Sequence, residues 1–183
     1  MLNKLYFFPL KKVGFKYRRG LPDSHLPDNI SGRPSLVVSL HEALHAVACV
    51  RFCVKIVTIH AGRTYGYCLS RWPNDKKSFC RDHIQIALLP KMFFASVKVE
   101  GVHDWHYQLD EEAAHAIASM ISGSLLPFDL LREMERKTAL LGKKRTVRLA
   151  AYALAREIRR KRVVGGAQAT RIIRQYVAPH RTK

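Results

Sequence analysis

Two histidines and a glutamate in one short segment are the residues of this sequence best suited to chemistry. His41, Glu42 and His45 stand in the segment HEALH. On a helix, residues four apart project from the same face about one turn from each other, so both imidazoles can reach one metal ion. Glu42 is turned by about 100° from His41, which places its carboxylate beside the ion as a base. The segment predicts a catalytic zinc site with His41 and His45 as ligands and Glu42 as general base.

Other readings of this segment stay open at the level of sequence. Chance placement would give an HExxH segment in roughly one or two such sequences per hundred. Ser39 and Glu42 also fit a capping box, in which the glutamate only satisfies a backbone donor. The two histidines would then be core residues with polar partners. Against this, Leu36 and Val37 continue the apolar pattern before Ser39, and burying imidazoles without partners is costly.

The elements that must position this segment follow from the pattern around it. Ser35 is the predicted cap of a helix over 36 to 52, which is apolar around most of its circumference and is therefore expected inside the core. Strands are predicted over 54 to 60 and through 65 to 69, where β-branched and aromatic residues alternate beside Gly62 and Gly66. A helix over 78 to 99 follows, with Pro90 expected to kink or divide it.

The rest of the chain is predicted to be largely helical. After a loop over 101 to 108, helices are expected over 110 to 121, 127 to 141, 146 to 161 and 166 to 177. The predicted fold class is mainly α with a small β-sheet (α+β), as in a zincin-like metallopeptidase domain with HExxH on a buried helix. Three regions are expected: an extended arm at 1 to 33, a zinc peptidase core at 34 to 124, and a basic helical region at 125 to 183 packed on that core.

A longer stretch around HEALH resembles a known family. HEALHAVA followed by VKIVTIHAGRTYGYC is similar to the peptidase domain of the FtsH-type ATP-dependent zinc proteases, in which a HEAGHA helix precedes a strand and a GRxxGY turn. The resemblance implies one zinc ion per chain and hydrolysis of peptide bonds in a polypeptide substrate. The matching positions are His41, Glu42, Ala43, His45, Ala46, Val57, Ile59, Gly62, Arg63, Gly66 and Tyr67.

The same resemblance implies a third zinc ligand. LDEEAAHAIASMI looks like the family's helix whose leading aspartate completes the ligand set, which makes Asp110 the candidate, with Ala114, Ile117 and Ala118 matching behind it. A weaker similarity continues to about residue 173. The rivals of Asp110 lie nearby and stay open: His103, Asp104, His106 and His115, of which the last should point to a different face of the helix.

The sequence also departs from the family's pattern. Leu44 replaces the glycine of HEAGH, and Leu89 with Pro90 replaces a glycine pair in the next helix. No P-loop or other ATPase signature is present, so cleavage is expected either on flexible segments or with a separate unfoldase. A catalytically inactive relative with a vestigial HExxH remains an alternative.

Charge favours a further class of partner. Lys and Arg number 32 against 14 Asp and Glu, for a net charge of +18, and the excess is concentrated after residue 130. Such a field favours polyanions, including nucleic acid. A basic nucleic-acid-binding protein is therefore the alternative function, with two helices around Gly165 and Gly166 loosely resembling a helix-turn-helix. The opposing interpretation is a solvated basic face on an amphipathic helix.

Cysteine usage and hydropathy bear on the compartment. Cys49, Cys53, Cys68 and Cys80 form no CxxC pair and are predicted to be buried free thiols in a reducing environment. No apolar stretch approaches the roughly 20 residues of a membrane helix, and the N-terminus is a poor signal peptide. We expect a cytoplasmic monomer without a transmembrane segment.

Overall fold

The computed structural model describes residues 33–63, 65–71, 77–97, 99, 102, 107–122 and 127–178, with the backbone alone at 77–80. Residues 1 to 32 of the arm predicted at 1 to 33 lie outside these ranges, as do the rival ligands His103, Asp104 and His106. Helices dominate and the strands form one small sheet, so the α+β class predicted from the sequence is confirmed. None of the described helices has the length and apolar character needed to span a membrane.

The helices and strands follow the predicted order closely. In chain order they are α1 Leu36–Arg51, β1 Lys55–Ala61, β2 Gly66–Arg71, α2 Lys77–Phe94, α3 Gln108–Ser122, α4 Pro127–Lys143, α5 Arg145–Lys161, β3 Val163–Gly165 and α6 Gly166–Arg174. The prediction for the end of α2 was wrong, because the helix ends at Phe94 instead of continuing to 99. The helix continues through Pro90 without being divided.

The central helix α1 begins where the sequence predicted. The Ser35 hydroxyl accepts a hydrogen bond from the Val38 backbone N–H at 3.0 Å, as an N-cap does. Ser39 therefore lies inside the helix and is buried. The hypothesis that Ser39 and Glu42 form a capping box was wrong. Thirteen of the sixteen residues of α1 are buried. The helix is consequently enclosed by neighbours, and any polar side chain on it needs a buried partner.

The sheet is antiparallel in the order β2-β1-β3. The strand β3 was not predicted, because three residues are too few to show an alternating pattern. Its presence corrects the loose helix-turn-helix reading: the interval between α5 and α6 is a strand paired with β1. A Cβ atom on Gly166 would lie 1.9 Å from the Ile56 carbonyl oxygen, so α6 starts directly against the backbone of β1.

Two hydrophobic clusters meet on α2. The larger one joins α1, β1, α5 and α6 to one side of α2, where Leu89 and Phe93 are fully buried. The smaller one packs α3 and α4 on the other side, around Ile84, Leu88 and Met134. Because α2 belongs to both clusters, it fixes the position of α3 relative to α1. This arrangement decides which residues of α3 can face the histidines of α1.

Candidate metal centre

Three predicted ligands converge at one point between α1 and α3. The Nε2 atoms of His41 and His45 lie 3.0 Å apart, and the Asp110 Oδ2 atom lies 3.0 Å from the first and 3.1 Å from the second. Within the described ranges this is the group of three side chains able to hold a metal ion. The sequence-predicted set of His41, His45 and Asp110 is thus brought together by the fold.

The spacing of these atoms suits a zinc ion. Ligand atoms at about 2.0 to 2.1 Å from a tetrahedral zinc ion lie about 3.3 Å from one another. The three observed separations are within a few tenths of an ångström of that value. Two imidazole nitrogens and one carboxylate oxygen are also a donor set that zinc commonly takes in proteins. The residues present therefore fit the metal that the resemblance implies.

The electrostatics of the centre also favour a cation. Burial opposes the charged form of His45, but the charge and hydrogen bond of Asp110 outweigh it and raise the pKa of His45 to about 10. Burial likewise opposes ionisation of Asp110, yet the charge of His45 and hydrogen bonds from both imidazoles hold the pKa of that carboxyl well below its usual range. Positive charge is strongly retained at this point, and a divalent ion would supply it.

A backbone carbonyl orients one of the imidazoles. The Nδ1 atom of His45 lies 2.9 Å from the carbonyl oxygen of Ile86 on α2. Since a carbonyl only accepts, Nδ1 donates this hydrogen bond, and Nε2 is left as the ring atom on which a metal ion would replace the proton shared with Asp110. Such a partner behind a ligating histidine is typical of metal sites.

Pro90 explains why that carbonyl is available. In an α-helix the carbonyl of Ile86 would accept from the N–H four residues later, and that residue is Pro90, which has no N–H. Pro90 lies inside α2, so Ile86 keeps an acceptor free for His45. The proline that replaces a glycine of the resembling family therefore has a specific consequence at this site.

Replacing Pro90 by Ala is expected to stabilise the fold and weaken metal binding. The new N–H would draw the Ile86 carbonyl back into the helix, so we expect zinc affinity to fall about tenfold or more. Removing an interior proline should raise the free energy of unfolding by about 1–3 kcal/mol. Competition with a chromophoric chelator and denaturant unfolding measure the two quantities. The matched control is Pro127→Ala at the start of α4, where the backbone N–H has no helical partner to gain; unchanged affinity in both variants would contradict the role of Pro90.

Glu42 lies beside the three ligands, on the same helix as His41 and His45. Its side chain is only 5% exposed, and burial raises the pKa of its carboxyl, although the charges of His41 and His45 partly oppose this. A carboxyl with a raised pKa is a better proton acceptor at neutral pH than an ordinary glutamate. Its position and its basicity both suit the role predicted from HEALH.

The first residue of β2 leaves just enough room for Glu42. A Cβ atom on Gly66 would lie 2.7 Å from Glu42 Cγ, 2.9 Å from the backbone oxygen of His60 and 2.9 Å from a methyl of Val38. No real Cβ makes contacts this short, so a side chain at residue 66 must displace Glu42 or the strand. The glycine of the GRxxGY-like turn thus fixes how closely the sheet approaches the candidate base.

On the prediction from HEALH that Glu42 is a catalytic base, we expect Gly66→Ala to reduce catalysis more than metal binding. Overpacking should lower the free energy of unfolding by about 1–3 kcal/mol, and displacement of Glu42 should lower kcat about tenfold or more while zinc is retained. Gly165→Ala is the matched control, because a Cβ there would meet no atom within 4 Å. Peptidase activity and zinc content are measured for both variants. Equal activity in the two would mean that Gly66 does not position Glu42.

Ion pairs of Lys91 connect α2 with α3 and α4 next to the ligand that α3 carries. Lys91 of α2 forms an ion pair with Glu111 of α3, directly after Asp110, and lies 3.8 Å from Glu135 of α4. Together with the smaller hydrophobic cluster, this links three helices at the residue that follows the ligand. Sequence reasoning identified neither Lys91 nor the Ile86 carbonyl; a proline four residues after Ile86 was the one local signal of a free acceptor.

The remaining candidates lie elsewhere. His115 is exposed and its ring contacts Phe128 of α4, which confirms that it points away from the centre. Among the cysteines, Cys49 is buried, Cys68 is half-buried and Cys53 is exposed, so the prediction of a buried thiol was wrong for Cys53. The thiols of Cys49 and Cys68 are hydrogen-bonded, which lowers the pKa of Cys49. The Cys80 side chain lies outside the described part.

No family model matches this sequence, and no curated protein matches it significantly. The similarity to FtsH-type peptidases therefore remains a prediction that depends on the quoted motifs.

Proposed function

We propose that this protein is a zinc-dependent peptidase that hydrolyses peptide bonds with Glu42 as its general base. The observation that carries the proposal is the convergence of His41, His45 and Asp110 within about 3 Å of one another, beside a buried glutamate on the helix that carries the two histidines. Three donors are typical of catalytic zinc, which keeps one position for water or substrate, whereas structural zinc has four.

Different residues of the chain would bind the metal, orient a ligand and transfer the proton. His41, His45 and Asp110 would hold the ion, and the Ile86 carbonyl would keep the His45 ring in the productive tautomer. When bound, zinc lowers the pKa of water toward neutrality and polarises a carbonyl group. Glu42 accepts the proton of the attacking water and passes it to the nitrogen of the leaving amine. Its raised pKa lets it carry that proton between the two events.

The sheet offers a place for the substrate. The strand β2 is paired on one side with β1 and lies at the edge of the sheet as described, and its first residue, Gly66, lies against Glu42. An extended peptide that adds to this edge would run past the candidate base. The substrate class that we propose is therefore a flexible or unfolded polypeptide, reached directly or supplied by a separate unfoldase.

Zinc content and cleavage of an unfolded protein test the proposal together. Purified protein should contain one zinc ion per chain by emission spectroscopy, and it should cleave casein in a reaction that a chelator stops and added zinc restores. A protein that binds zinc but leaves casein intact would be an inactive relative. A protein without stoichiometric metal would refute the assignment altogether.

A further inference from the structure

A cleft lined by arginines lies at the end of α5, where the chain also enters α1. Its volume is about 630 Å³, and its lining residues are Arg33, Pro34, Arg156, Glu157, Arg159, Arg160 and Arg162. Five of these seven carry a permanent positive charge. Such a concentration of like charge in a concave surface is unfavourable unless an anion balances it.

The single acidic residue of the cleft does not neutralise it. Glu157 accepts hydrogen bonds from Arg160, Lys161 and Gln168, and the contact with Arg160 lowers its pKa to about 2. The negative charge of Glu157 is therefore already balanced by Arg160 and Lys161. The guanidinium groups of Arg33, Arg156 and Arg162 form no hydrogen bond or ion pair with any other residue that the structure describes.

A purely structural role accounts for only part of the set. Cations in the last turn of a helix complement its dipole, which explains Arg159, Arg160 and Lys161 of α5. Arg159 also donates to the Pro34 carbonyl at 3.4 Å and so ties the start of α1 to α5. Neither explanation covers Arg33, which belongs to the segment before α1, or Arg156, one turn earlier in α5.

We propose that this cleft binds the phosphodiester backbone of a nucleic acid. Arginine presents a planar fork of donors that matches phosphate oxygens in pairs, and all the cations that line the cleft are arginines. A cavity of this size admits one backbone strand and is too small for a whole duplex. Its concave shape favours a strand over a flat anionic membrane, and the net charge of +18 favours a ligand with many phosphates.

The cleft shares no residue with the metal centre, so this proposal does not depend on the proposed peptidase activity. Pro34 and Ser35 precede His41 by less than two helical turns, or about 9–11 Å along α1. A bound strand would therefore lie near the candidate active site, and proteins on nucleic acid would be brought close to it.

Substitutions that remove positive charge from the cleft test the proposal. The test variant is Arg33→Gln with Arg156→Gln, since both side chains are exposed and neither bonds a described residue. The matched control is Arg132→Gln with Arg136→Gln, which removes the same charge from exposed positions of α4 outside the cleft. Binding of a labelled single strand of about 20 nucleotides is measured by anisotropy between about 50 and 300 mM KCl.

The expected result is a specific loss in the cleft variant. Losing two phosphate contacts should lower the slope of log affinity against log salt by about 1.4 and weaken binding about tenfold at low salt. The control should lower the slope by less than about 0.5. Thermal unfolding checks both folds, and Arg156→Gln alone, with an expected slope change of about 0.7, carries the test if the double variant unfolds.

Four outcomes would overturn the proposal. Equal losses in cleft variant and control would mean a general charge effect. Absence of salt-dependent binding by the wild-type protein would show that the cleft does not bind nucleic acid. Competition by a mononucleotide or inorganic phosphate as effective as by the oligonucleotide would indicate a small-molecule site. Tighter binding to phosphatidylserine vesicles, lost in the cleft variant while oligonucleotide binding persists, would assign the cleft to a membrane.

Discussion

Glu42→Gln is expected to lower kcat for casein cleavage by about 10²- to 10⁴-fold while one zinc ion per chain stays bound. Glutamine has nearly the same shape as glutamate and can occupy the same buried space beside Gly66, but its amide cannot accept a proton from water. The three metal ligands are untouched, so zinc content should match that of wild type. A combined loss of rate and retention of metal separates a base from a ligand.

Glu112→Gln provides the matched control for this variant. Glu112 is an exposed residue of α3 whose carboxylate accepts from Gln108, so the same chemical change there should leave both rate and zinc content unchanged. Cleavage by Glu42→Gln at the wild-type rate would exclude Glu42 as the base. Loss of zinc from the same variant would instead make Glu42 part of the ligand set.

Asp110→Asn is expected to weaken zinc binding more than a hundredfold and to abolish peptidase activity as a result. The substitution removes the only negative charge among the three converging atoms, and losing a direct ligand should cost more than the roughly 10- to 100-fold typical of residues behind a ligand. The carboxylate lies 3.0 and 3.1 Å from the two histidine nitrogens. Chelator competition measures the dissociation constant, and zinc content after gel filtration gives the occupancy.

The rival ligands supply the controls for Asp110. His115→Ala should leave zinc affinity unchanged, because His115 is exposed on another face of α3. Alanine or asparagine variants at His103, Asp104 and His106 should do the same. If Asp110→Asn kept its zinc and one of these variants lost it, the third ligand would have been misassigned, although the peptidase proposal itself would survive.

Most of the elements around the site were accessible from the sequence because their signals are local. The Ser35 cap and the apolar pattern after it predicted α1 to within one residue of its end, and turn glycines with alternating residues predicted β1 and β2. The end of α2 was predicted too late, since Val97 and Val99 continue an apolar pattern outside the helix. The strand β3 was missed because its stability comes from pairing with β1, which is remote in sequence.

By itself, the sequence determined the residues whose relation lies within one helical turn: His41, Glu42 and His45 share a face or its border because helical geometry requires it. The tertiary structure alone decided the contacts across the chain. Asp110, 65 residues from His45, and the Ile86 carbonyl, 41 residues away, reach that ring only because α2 packs against both α1 and α3. Such contacts depend on how helices pack, and no local pattern of residue types specifies which side chains will meet.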